Sequence, residues 1–118
     1  MSAGSAAVAA AASGSAAGEF ELTRSSGGQL SAKGRLTFAT ASIAREAALE
    51  LFAVDPTQKA EVDLSGITAS DSAGLAVLLD WLAMARQSGG SLHYTNLPSQ
   101  VQALARIIDV LELLERGV

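Results

Sequence analysis

The sequence predicts an α/β domain built on a mixed sheet of four or five strands. Strand-like and helix-like segments follow one another in the order strand, strand, helix, strand, helix, strand, helix, helix, and such alternation calls for crossovers and a largely parallel sheet. The first two strands flank Gly27-Gly28, a pair able to take the positive φ angles of a tight hairpin, which adds one antiparallel pairing. A length of 118 residues suffices for one core and not for two.

From Ser2 to Gly18 every residue except Val8 is Ala, Ser or Gly. That is too little side-chain bulk to offset the entropy of ordering the segment. Residues 1–18 are therefore expected to be a flexible tail or an appended linker, with the domain over 19–118. Residues 20–24 and 29–38 read as the opening strands, and Gly34 marks a bulge or second turn before Leu36-Thr37-Phe38. In Ser42–Val54, Ile43, Ala47, Leu51 and Val54 recur at helical spacing, with Thr40 or Ser42 as N-cap and Pro56 closing the end. Residues 61–67 alternate polar and apolar, a strand with Val62 and Leu64 on one face. A helix follows from about Ser72 to Gln87, ended by Gly89-Gly90. Residues 91–97 supply a further short strand. Ser99 followed by Gln102 has the capping-box pattern and opens a helix through Ile108. Asp109 and Glu112 repeat it loosely for a last helix ending near Gly117.

Composition narrows the chemistry. Hydrophobic residues make up 49% of the chain but aromatic ones only 4%, which predicts an aliphatic core of Leu, Ile and Val. The absence of cysteine excludes disulfides, thiolate metal sites and cysteine nucleophiles, and fits a reducing cytosol. Formal charge is −4, with eight basic residues spread thinly from Arg24 to Arg116; nucleic-acid partners, which need a clustered positive surface, are not expected. No uncharged apolar run approaches the roughly eighteen residues that span a bilayer, and the N-terminus lacks a basic n-region. A protein neither inserted nor exported is the expectation.

An enzymatic role has little to stand on. His93 is the sole histidine, on a predicted strand, without a carboxylate beside it in sequence to form an acid–base pair. Asp63 and Asp71 would mimic a paired carboxylate if strand end and loop met, but Asp71 is better placed to shape the turn into the following helix. No G-x-x-x-x-G-K-[ST] occurs, so nucleotide chemistry would belong to a partner; no catalytic residue, metal or cofactor is expected.

The helix at Ser72 is the most informative element. At about 100° per residue, Leu75, Leu78, Leu79 and Leu82 share one face, enough for a helix lying on a sheet. Val77, Trp81 and Met84 fall on an adjoining face and double the apolar arc. Burial statistics assign that second stripe to a neighbouring helix of the same chain; the enrichment of tryptophan and methionine in interface cores assigns it to another protein. At the entrance, Ser72 is the expected N-cap, its hydroxyl aimed at an amide near Gly74 or Leu75. Ala73 and Gly74 leave room for a visitor to approach closely. The expected partner-binding set is thus Asp71, Ser72, Ala73, Gly74, Leu75, Val77, Trp81 and Met84.

The run Asp63-Leu64-Ser65-Gly66-Ile67, then Asp71-Ser72-Ala73-Gly74-Leu75, a leucine-rich helix and the Gly-Gly turn resembles the STAS domain family over about residues 19–116. That resemblance implies helices packed mainly on one face of the sheet. It also implies that Ser72 matches the serine or threonine that partner kinases phosphorylate in anti-sigma-factor antagonists, at or near the partner surface. The phrases at 78–86, 96–101 and 103–106 look like the Mla-type STAS subunit of bacterial phospholipid ABC transporters. By that likeness the chain is a cytoplasmic, non-catalytic subunit, peripheral to the inner membrane through the ATP-binding-cassette ATPase that it binds and that subunit's permease. The alternative implied by the same motif is an anti-sigma-factor antagonist regulated at Ser72.

Overall fold

Burial along the strands alternates, and that alternation sets the architecture. In a computed structural model, residues 19–25 and 29–118 are described; the tail expected over 1–18 and the Gly27-Gly28 turn lie outside the described residues. The elements are β1 (Phe20–Arg24), β2 (Leu30–Leu36), α1 (Ala41–Val54), β3 (Lys59–Ser70), α2 (Ser72–Ser88), β4 (Ser91–Thr95), α3 (Ser99–Ile107) and α4 (Leu111–Arg116). They form a four-stranded sheet in the order β1-β2-β3-β4. The β1–β2 pair is antiparallel, whereas β2–β3 and β3–β4 are parallel with α1 and α2 as their crossovers. This is the mixed α/β sheet expected, at the lower strand number.

One sheet face buries Phe20, Leu22, Leu30, Ala32, Leu36, Ala60, Val62, Leu64, Leu92 and Tyr94 beneath the helices. The other carries Glu21, Thr23, Ser31, Lys33, Glu61, Asp63 and His93, exposed or half-buried. A period of two with one face wet is what an antiparallel edge and short parallel strands covered on one side require. On the covered face, α2 packs against α1, α3 and β4.

The core is mainly leucine, valine and alanine, in keeping with the aliphatic expectation, with two departures. Trp81 and Phe20 are its largest fully buried side chains, and Phe52 and Tyr94 are also buried. Isoleucine contributes nothing fully buried: Ile43 and Ile67 are half-buried, and Ile107 and Ile108 are exposed. A few aromatic rings suffice because each covers more area than a branched aliphatic, and Ala44, Ala47, Ala48 and Ala85 give them room.

Local details shift several boundaries. β3 runs on to Ser70 because Leu36 and Ser70 remain in register, despite irregularities opposite Ser31–Lys33 and Gly34–Arg35. β2 stops at Leu36, leaving Phe38 outside the strand. Thr40 is the N-cap residue of α1, yet its hydroxyl makes no cap bond; it donates to the Arg35 carbonyl at 2.8 Å and accepts from the Thr37 amide at 3.1 Å. The capping box at Ser99 does not form, since Gln102 donates its amide to the Leu97 carbonyl instead. Asp109 is likewise a turn residue with φ of 62°, and α4 begins after Val110. At the chain's far end, Gly117 and Val118 lie along the outer edge of β4, Val118 and Leu92 exchanging backbone hydrogen bonds of 3.0 and 3.4 Å.

Candidate functional site

The end of the sheet where β2 and β3 finish holds the Asp71–Leu75 segment, and its chemistry begins with a carboxylate. Asp71, not Ser72, is the N-cap of α2. Its Oδ1 accepts from the Gly74 amide at 3.0 Å, and its Oδ2 accepts from the Phe38 amide at 3.1 Å. One side chain thus satisfies a first-turn donor of α2 and pins the β2–α1 loop to the helix entrance. Aspartate wins over the serine because its two oxygens diverge enough to serve both backbones. A single hydroxyl serves one.

Burial alone would raise the Asp71 pKa, but backbone hydrogen bonds from Phe38, Gly74 and Ala73 outweigh it and lower the carboxyl below its ordinary 3.8. A depressed folded-state value means stability that is present above the unfolded pKa and lost as pH falls through the folded one. Asp71→Ala should therefore cost about 1 kcal/mol near neutral pH, as lost caps do. The gap between wild type and variant, measured by urea denaturation, should narrow below pH 3.8. A constant gap down to pH 2.5 would show that the ionised form contributes nothing special.

Ser72 is the first residue of α2 and is exposed. Its hydroxyl makes no hydrogen bond among the described residues, so it is open to a partner or a modifying enzyme. Ala73 and Asp71 are half-buried. Gly74 is buried, and its smallness serves the fold: a Cβ there would overlap the Leu36 carbonyl oxygen at the end of β2. The close visitor is the chain's own strand.

The apolar stripe expected to face a partner is corrected by its burial. Trp81 is 1% exposed, and Val77 and Leu75 are buried with it; Met84 is half-buried and packs on the same core. Trp81 donates its Nε1–H to the Ala44 carbonyl at 3.0 Å. Its ring meets Phe20 edge-on at 6.2 Å and Tyr94 at 6.4 Å. Tyr94 in turn donates its hydroxyl to the Leu78 carbonyl at 2.7 Å. Helix α1, with alanine at 44, 47 and 48, approaches closely enough to cover the second stripe of α2, so Gly74, Leu75, Val77 and Trp81 are not available to another protein.

One large apolar side chain at this end of the sheet is exposed instead. Phe38, next to the pinned loop, is 84% exposed. Strand alternation puts it on the same side as Leu36; the end of β2 at Leu36 releases it. An exposed phenylalanine held by a hydrogen-bonded loop is a preorganised apolar knob. Gln100, at the start of α3, borders this end from the other side, its Oε1 accepting from the Ser70 amide at 3.1 Å.

The acid–base candidates do not assemble here. Asp63 accepts from Asn96 at 2.9 Å and from the Ser65 amide at 2.9 Å, and the Asn96 bond chiefly keeps its pKa below the ordinary value. Asp71 sits past the other end of β3, so the two carboxylates do not pair. His93 does have a neighbour that sequence proximity hid: Glu61, opposite it in register, at 3.6 Å on the open sheet face. Both side chains are about half exposed, which makes this a surface contact.

Among the described residues no helix is long and apolar enough to cross a membrane. A family model described as "Mlab, STAS domain" matches residues 20–115. No curated protein matches the chain.

Proposed function

The chain belongs to the STAS domain family, and from that premise we propose that it is the non-catalytic STAS subunit of a bacterial phospholipid ABC transporter, docking on the cytoplasmic ATPase through Phe38, Asp71, Ser72 and Ala73. The subunit is cytoplasmic, is held at the inner membrane by its partner, and supports assembly or activity of the ATPase and permease. The observation that carries this reading is Phe38, 84% exposed and fixed beside the motif helix by Asp71. Aromatic side chains that anchor in a partner's pocket are prominent among binding hot spots. Asp71 and the acidic balance of the chain suit a partner surface that is apolar with basic flanks.

Regulation of an anti-sigma-factor partner is the second reading, favoured by the exposed hydroxyl of Ser72. A phosphate there would meet the positive end of α2 but also lie next to the Asp71 carboxylate. Affinity purification of the tagged protein from a detergent extract of its native host separates the two. Recovery of an ABC ATPase with a permease supports the first; recovery of an anti-sigma factor alone sinks it. Phe38→Ala should cut recovery of the ATPase by about tenfold or more, the effect of losing a hot-spot residue. Stability should stay within about 0.5 kcal/mol, as for other surface substitutions.

A further inference from the structure

At the end of α2 remote from Asp71, its last three turns, the Gly89-Gly90 turn and the segment from α4 to Val118 border two cavities of about 380 and 210 Å³. They share Arg86, Leu113 and Val118 as lining and so form one groove. Leu79, Leu82, Leu113 and Val118 give it an apolar floor. Among the described residues its only charged lining side chains are Arg86 and Arg116, in a chain whose formal charge is −4. Arg86 is exposed and makes no ion pair among the described residues. Arg116 reaches Glu112 at 3.6 Å, with both side chains largely exposed, a weak surface contact that a better carboxylate would displace.

We propose that this groove is a second protein-binding surface, whose occupant is an acidic amphipathic segment of a partner protein. Apolar side chains of the segment lie on the leucine floor, and its carboxylates meet the two guanidinium groups, which accept them in a bidentate fork. Charge complementarity selects this occupant: one or two helical turns carry both characters on adjacent faces. Two cations are far short of a phosphate track. The groove lies at the opposite end of α2 from Phe38, so both surfaces can be occupied together, and the assignment does not depend on which partner Phe38 engages.

The test is fluorescence anisotropy with a labelled synthetic helical peptide carrying leucine on one face and glutamate beside it, and with its counterpart in which lysine replaces glutamate. The acidic peptide should bind the full chain. Arg86→Glu with Arg116→Glu should weaken binding by about tenfold or more, while Phe38→Ala leaves it unchanged. Should the reversed-charge variant fold poorly, Arg86→Gln with Arg116→Gln serves instead, judged against an unchanged thermal melt. Failure of the acidic peptide to bind, equal binding of the lysine peptide, indifference to the arginine substitutions, or capture of phosphatidylglycerol vesicles in preference to peptide would each overturn the proposal.

Discussion

Trp81→Ala is expected to lower the unfolding free energy by about 3–5 kcal/mol, the range for deleting a large buried ring. The indole touches three elements at once: α1 through the Ala44 carbonyl, β1 through Phe20 and β4 through Tyr94. Its loss leaves a cavity that is not easily repaired, because Ala44, Ala47 and Ala48 are too short to reach into the gap. Trp81→Phe should be milder, since it keeps most of the apolar contact and gives up the hydrogen bond. Chemical denaturation followed by far-ultraviolet circular dichroism measures both. A loss below about 1 kcal/mol, with partner binding abolished, would return Trp81 to the surface and displace α1 from where it lies.

Gly74→Ala carries the second large effect, and its sign is diagnostic. Inside an exposed helix this substitution normally stabilises by about 0.5–1 kcal/mol, because alanine loses less backbone freedom. Here the added Cβ runs into the Leu36 carbonyl, a backbone atom that cannot swing aside. Either the entrance of α2 lifts from β2 or the end of β2 bends, and both movements disturb the Asp71 bond to Phe38. A destabilisation of about 3 kcal/mol is expected, at the upper end for overpacking. Ala76→Gly, on the exposed side of the same helix, should cost only about 1 kcal/mol. The close approach would be falsified if Gly74→Ala raised the denaturation midpoint.

How much of this was legible beforehand depends on what each signal reports. Alternation and helical spacing report one element at a time, and they found every strand and helix of the sheet and its covering layer. They also placed Asp71-Ser72-Ala73-Gly74 at a helix entrance. What they could not report is which element covers which. The apolar arc of α2 was visible as too wide for one neighbour, but that α1 is the second neighbour follows from small residues at 44, 47 and 48, and alanine gives little signal in a chain so rich in it. The same blindness gave Ser72 the cap and Gly74 the visitor. Serine and aspartate are equally good caps in isolation, and only the position of the Phe38 amide favours two oxygens over one. Phe38 itself was hidden by periodicity, because alternation continues past Leu36 while the ladder does not.

The bond exchange between Val118 and Leu92 has a bearing on behaviour at high concentration. Strand edges are templates for growth, and a sheet with two bare margins can add neighbours on both sides without limit. In this molecule one margin is obstructed by the chain's own last turn, and Gly117 fits there because a larger residue would strike the Leu92 carbonyl. A strand arriving at the β4 margin must first displace the two backbone bonds that join Val118 to Leu92, so growth from that side meets a barrier that an unoccupied edge would not present.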